Sequence, residues 1–212
     1  MLLACDPGKD HFAYSVVSDK NKLMCTGMLG FTISSFSEAG INENIKEFSK
    51  KIKDIFTKWK IDTVVAERYL VRGSNSKMGA SCEFISFMLG IISDICLRNK
   101  AEIYLITPAV WKGYCYKAYG FPKKTGMPEV FGFLHLSKNL STIPILEHQF
   151  DSAGIALYWI AKTKKEDAYT RIKKKLVYLW NSNKPVSKVH LKSYNKVVIN
   201  SVKRKKEIKG VL

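Results

Sequence analysis

Apolar residues in the first third of the chain come in short runs that each stop at a polar or turn-forming position. Leu2 to Cys5 is one run, closed by Asp6-Pro7-Gly8; Phe12 to Val17 and Leu23 to Gly30 are two more, with Ser18-Asp19-Lys20-Asn21-Lys22 between them. Runs of this length bounded by turn residues predict three strands in a meander. The pattern then changes period. Ile41, Ile45, Phe48, Ile52, Ile55, Phe56 and Trp59 fall on one helical face, with Lys46, Lys50, Lys53 and Lys60 elsewhere on the wheel. A fourth strand, Thr63 to Ala66, stops at Glu67. Arg68 to Ser76 carries Gly73, Ser74, Asn75 and Ser76 and predicts a mobile loop.

Ser81 to Asn99 predicts a helix that is apolar over most of its circumference. Phe84, Ile85, Phe87, Met88, Leu89, Ile91, Ile92 and Ile95 cannot all face one sheet, so either two elements or a second subunit must cover them. Gly79, Ala80 and Gly90 would permit close approach of another backbone. A short buried strand, Ile103 to Ile106, ends at Thr107-Pro108; Val130 to Leu136 predicts an amphipathic helix, and Phe150 to Lys162 a last helix packing through Ile155, Ala156, Trp159 and Ile160. The order βββ-α-β-α-β-α-α implies an α/β fold with a mixed sheet and helices on both faces.

Charge divides the chain. Of its 212 residues, 35 are Lys or Arg and 18 are acidic, a net charge of +17. Residues 162–212 hold 16 of the cations and 3 of the acids, which predicts a globular domain over 1–161 and a basic extension over 162–212. The extension contains Leu176, Val177, Leu179, Trp180, Val197, Val198 and Ile199 and is too apolar for a plain disordered tail. So large an excess of positive charge usually serves a polyanion, with nucleic acid ahead of an anionic membrane surface. Phe84 to Leu97 is too short and too polar to span a bilayer, and the N-terminal apolar run is interrupted at Asp6, unlike a signal peptide. Cys5, Cys25, Cys82, Cys96 and Cys115 are odd in number with no Cys-x-x-Cys spacing, which implies reduced thiols and no zinc ribbon.

Against this basic background, three acids stand at element ends: Asp6 after the first strand, Glu67 after the fourth, and Asp151 at the start of the last helix. His148 lies three residues before Asp151, on the same side of that helix start. Strands adjacent in a mixed sheet would bring Asp6 and Glu67 out at neighbouring ends. Carboxylates in this number suit hard divalent cations, and a pair of such ions about 3.5–4 Å apart can hydrolyse a phosphodiester. Each residue also has a plain structural role open to it: Asp-Pro-Gly as a turn, Glu67 as a surface charge, Asp151 as a helix cap, His148 as an ordinary histidine.

Four segments together resemble one family: Cys5-Asp6-Pro7-Gly8, Val64-Val65-Ala66-Glu67, Thr107-Pro108-Ala109-Val110-Trp111-Lys112, and His148-Gln149-Phe150-Asp151-Ser152-Ala153-Gly154-Ile155-Ala156-Leu157. The pattern is similar to that of the RuvC-type Holliday-junction resolvases of the ribonuclease-H-like superfamily. The resemblance implies a five-stranded ribonuclease-H-like sheet over residues 1–161. It implies a crossover-junction endonuclease that cuts four-way and other branched DNA by paired nicks, leaving 5′-phosphate and 3′-hydroxyl ends. Asp6, Glu67, His148 and Asp151 would hold two Mg²⁺ ions per site, with Mn²⁺ as a substitute, and Lys112 would touch the scissile phosphate. Many relatives have Asp-x-x-Asp where this chain has His148-x-x-Asp151. A second family lysine corresponds to Lys123 or Lys124.

Relatives carry an aromatic wedge after the catalytic glutamate, where this chain has Arg68-Tyr69-Leu70; Tyr69 either stacks on a base or packs on its own loop. Arg68, Tyr69, Arg72, Lys77, Lys112, Lys123 and Lys124 are the candidate DNA contacts. The family implies a homodimer, for which the 81–97 helix is the natural interface. The lysine-rich composition suits the cytoplasm of a bacterium or phage-infected cell, and no strongly amphipathic cationic helix dominates as a membrane-surface protein would require. A ribonuclease-H-like nuclease for flaps, forks or RNA–DNA hybrids shares the same acids, and a non-catalytic junction binder is the alternative from another class.

Overall fold

The protein is seen in a computed structural model that describes residues 1–8, 11–19, 22–30, 38–68, 79–119, 135–136 and 147–163. Three strands form the meander, β1 (Leu2–Pro7), β2 (His11–Val17) and β3 (Lys22–Gly30). They are followed by α1 (Glu38–Trp59), β4 (Thr63–Glu67), α2 (Gly79–Asn99), β5 (Glu102–Ile106), α3 (Pro108–Tyr119), β6 (His135–Leu136) and α4 (Glu147–Thr163). The sheet order is β5-β4-β1-β2-β3-β6. β2 is antiparallel to both β1 and β3, whereas β4 runs parallel to β1 and β5 parallel to β4. The five expected strands are therefore present in a mixed sheet, extended by the two-residue β6.

β1 is central and every one of its residues is buried. Successive side chains of a strand point to opposite faces, and the core divides accordingly. Leu3, Cys5, Phe12, Val16, Val64 and Ala66 pack with Phe48, Ile52 and Phe56 of α1 and Ile85, Met88, Ile92 and Ile95 of α2. Leu2, Ala4, Val17 and Val65 pack with Trp111 and Cys115 of α3 and the apolar residues of α4. Asp6 and Glu67 continue the second series and so face α3 and α4.

α1 and α2 both end in Schellman turns. Ile61 N–H donates to Phe56 O, and Ala101 N–H to Cys96 O. The residue between helix and exit is left-handed in each, at φ 49° for Lys60 and 55° for Lys100; glycine usually fills that position.

Two sequence expectations change. Between β5 and α4 the structure has a helix, α3, beginning at Pro108, that the sequence pattern did not show. In the segment 130–136, expected as helix, His135 and Leu136 are strand, paired parallel with Lys22 and Leu23 of β3, and the rest of that segment lies outside the described residues. The apolar helix at 81–97 is covered on one side by the sheet and α1. Phe87 and Leu97 remain exposed, and open space surrounds Gly90. The loop after Arg68 and the extension beyond Thr163 also lie outside the described residues. Among those described, no helix is long and apolar enough to cross a membrane, and all five cysteines are free.

Candidate active site

Parallel register pairs Cys5 with Ala66, so Asp6 and Glu67 leave neighbouring strands at the same level and on the same face. α4 crosses this face with its N-terminal end over the strand ends. It contributes His148 and Asp151, one turn apart. His148 Nδ1 lies 3.3 Å from Asp6 Oδ2. The histidine is half-exposed and Asp6 is almost covered, so the site opens to solvent past the imidazole.

α3 holds the other two carboxylates. Trp111 Nε1–H donates to Glu67 Oε2 at 2.6 Å, and the next residue, Lys112, donates from Nζ to Asp151 Oδ2 at 2.9 Å. The Trp111 indole is fully buried. It lies so close to α4 that a Cβ on Gly154 would sit 2.6 Å from its six-membered ring. A glycine one turn after Asp151 thus lets α3 and α4 approach until one indole and one ammonium reach both acids.

Hydroxyl groups fix α4 along the sheet. Ser15 Oγ of β2 is 2.7 Å from Ser152 Oγ of α4 and 3.3 Å from Thr26 Oγ1 of β3. Thr26 donates on to Tyr14 O, and Ser152 to Gln149 O. All three hydroxyl residues are buried, where a polar group left without a partner costs about 1–3 kcal/mol.

Three carboxylates, Asp6, Glu67 and Asp151, face one ammonium in this cleft. The consequence appears at Glu67, whose carboxyl is pushed up from 4.5 to about 7. Burial is the main cause and the charge of Asp6 the next; the Trp111 hydrogen bond and Lys112 oppose the rise, and Asp151 adds to it. A partly buried cluster with surplus negative charge fits a divalent cation, which would remove both the repulsion and the desolvation penalty. Asp6 and His148, the pair already in contact, are joined by His11. One ligand atom from each of Asp6, His11 and His148 lies within 4.8 Å of the others. Glu67 and Asp151 border that group and are not part of it.

The sequence motifs therefore converge on one cleft: Asp6, Glu67, Lys112, His148 and Asp151 are all there. Arg68 is exposed at the exit of β4, its N–H bonded to Ile106 O. Tyr69, Arg72, Lys77, Lys123 and Lys124 lie outside the described residues. His11 and the hydrogen-bonding role of Trp111 went unread in the sequence. A signal for His11 exists: it stands two residues before Ala13, the partner of Asp6 across the hairpin, and so shares the face of Asp6.

No protein-family model matches the chain, and no curated protein matches it by sequence. Solved structures do match. RuvC of Thermus thermophilus, in complex with its Holliday junction substrate, superposes with a TM-score of 0.57 at 15% identity, covering 77% of this chain and 94% of that one. Another Thermus thermophilus RuvC structure gives 0.55 at 15% identity over 77% and 96%. The yeast mitochondrial Holliday junction resolvase gives 0.52 at 14% identity, covering 83% of each chain. Strand order, helix placement and these superpositions agree that the chain has the same fold as RuvC.

Proposed function

We propose that this protein is a divalent-metal-dependent endonuclease that resolves four-way DNA junctions. The observation that carries the reading is the convergence of Asp6, Glu67 and Asp151 from two strand ends and one helix onto a single electronegative cleft, in a protein whose net charge is +17. A structural role for these acids would not gather them where they repel. The fold is that of proteins solved as junction resolvases, one of them with its junction bound.

Divalent cations held by Asp6, Glu67, His148 and Asp151, as Mg²⁺ or Mn²⁺, would supply Lewis-acid activation of the phosphodiester and of its attacking water. The chain's own residues prepare the site. Trp111 fixes which Glu67 oxygen stays turned to α3. Lys112 neutralises Asp151 and stands ready to meet a phosphate oxygen as charge builds there. Lysines and arginines, including those of the 162–212 extension, bind the phosphate backbone, so affinity falls steeply with salt.

A four-way junction has near-twofold symmetry and needs two opposed nicks, which a twofold dimer delivers. Phe87, Gly90 and Leu97 recur along the exposed side of α2 and would form that interface. The deciding experiment incubates a synthetic four-way junction with wild type and Asp6→Asn, with and without Mg²⁺ or Mn²⁺. Wild type gives symmetric paired nicks and ligatable 5′-phosphate, 3′-hydroxyl products. The variant binds the junction and does not cut it. An uncut junction under every metal condition would leave only a junction-binding protein, and cutting of flaps or RNA–DNA hybrids in preference to junctions would reassign the substrate.

A further inference from the structure

The ligand group in the cleft is richer in nitrogen than the sequence motifs alone supply. Asp6, His11 and His148 form it, and the two imidazoles stack with ring centroids 3.5 Å apart. His11 does not reach this place by default. It opens β2 immediately across the turn from β1, where Gly8 N–H donates to His11 O at 2.9 Å. The imidazole occupies the volume that any side chain at Gly8 would fill, because a Cβ there would overlap the ring. Gly8 therefore leaves room for His11, and His148 stacks on the ring. Two imidazole rings and a carboxylate converge at the mouth of a cleft that already carries excess negative charge.

We infer that His11 is a metal ligand, and that Asp6, His11 and His148 form a position selective for a first-row transition ion over Mg²⁺. The inference rests on the metal-nuclease reading of the cleft and adds which residue and which ion. Mg²⁺ takes oxygen ligands and gives up its waters reluctantly. Imidazole nitrogen is a better donor to Fe²⁺, Co²⁺ and Zn²⁺, with affinity rising along that series from Mn²⁺. An ion held by these two imidazoles and one carboxylate would supply Lewis-acid chemistry, with no change of oxidation state.

Metal binding without DNA tests this directly. Metal-free full-length protein is titrated with CoCl₂ and, separately, MgCl₂, by calorimetry and by the visible absorption of bound Co²⁺. Wild type should bind Co²⁺ more tightly than Mg²⁺. His11→Phe keeps a ring to stack on His148 and removes both nitrogens; it should lose at least about tenfold in Co²⁺ affinity, with a changed Co²⁺ spectrum and little change for Mg²⁺. Gly8→Ala should move Co²⁺ affinity the same way by evicting the imidazole. Circular dichroism checks folding, and His11→Ala carries the same comparison if the phenylalanine variant does not fold.

Wild-type Co²⁺ affinity in a folded His11→Phe or His11→Ala would overturn the inference and make His11 a packing partner only. So would a wild type that prefers Mg²⁺. Junction cleavage by wild type, assayed alongside, separates the two levels. Cleavage with unaltered Co²⁺ binding in the variants removes the role of His11 and leaves the nuclease; no cleavage and no Co²⁺ binding in wild type removes both.

Discussion

Trp111 donates its indole N–H to Glu67 at 2.6 Å from a slot that exists because residue 154 has no side chain. The strength of this arrangement lies in its tightness. Gly154→Ala must displace a fully buried indole, and overpacking of that kind costs about 1–3 kcal/mol. The variant should unfold at lower denaturant concentration and, because Glu67 loses its partner, cut junctions more slowly. Trp111→Phe should keep more of the stability and show the same loss of cleavage. Wild-type stability in Gly154→Ala would mean that α3 and α4 do not approach so closely.

Lys112 and Asp151 form a mostly buried ion pair, with side-chain exposures of 22% and 4%. Removing one partner leaves the other charged in a covered site, whereas removing both does not. Lys112→Met should destabilise the metal-free protein by about 2 kcal/mol, and adding Asp151→Asn should restore part of that loss. A double-mutant cycle from denaturant melts in EDTA measures the coupling, and strictly additive effects would show that the pair is not formed in solution. Each single variant should also cut junctions far more slowly than wild type.

The raised carboxyl of Glu67 fixes the sign of one pH dependence. In the unfolded chain Glu67 loses its proton near 4.5; in the folded, metal-free protein it keeps it to about 7. Between those values the folded state binds more protons, so stability falls as pH rises through that window. The full effect is up to ~3 kcal/mol. Denaturation midpoints in EDTA from pH 4.5 to 8 should decline in wild type and decline less in Glu67→Gln, which is the more stable protein at pH 8. A parallel pH response in the two proteins would refute the burial of an ionising Glu67.

Lys60 and Lys100 hold left-handed backbone at the ends of α1 and α2. A Cβ is disfavoured there and glycine is not. Lys100→Gly should raise stability by about 0.5–1 kcal/mol despite the greater freedom that glycine gives the unfolded chain. A loss of stability on denaturant titration would count against the Schellman turn at Ala101.

What the sequence reveals and conceals follows from the kind of signal each element emits. β1, β4 and α4 are readable because an apolar run stops abruptly at Asp6 or Glu67, or starts at Asp151, and a charge at the boundary of a buried element is conspicuous. α3 is quiet for the opposite reason. Pro108 after a strand reads as a stop, although proline equally suits the first turn of a helix, and Gly113 with Tyr114 and Tyr116 blurs the period that follows. β6 is two residues long, and only its pairing with β3 makes it a strand. The acids of the cleft were legible one by one, since each stands on its own element. His11 was not, because its part in the group comes from hairpin register and from the empty space at Gly8, and neither is written in residue type alone. The burial of Trp111 against Gly154 likewise joins residues 43 positions apart.

The hydroxyl contacts between Ser15, Ser152 and Thr26 act as an indexing pin for the last helix. A greasy surface built of Ala153, Ile155, Ala156 and Leu157 would tolerate sliding by a fraction of a turn, since oil is indifferent to which methyl meets which. Hydrogen bonds are not indifferent, and a slip of even one residue would break the buried contact between Ser15 of the sheet and Ser152 of the helix. His148 and Asp151 are therefore delivered to the cleft as a fixed unit, and any adjustment of the site to a ligand has to come from parts of the molecule that this pin does not hold.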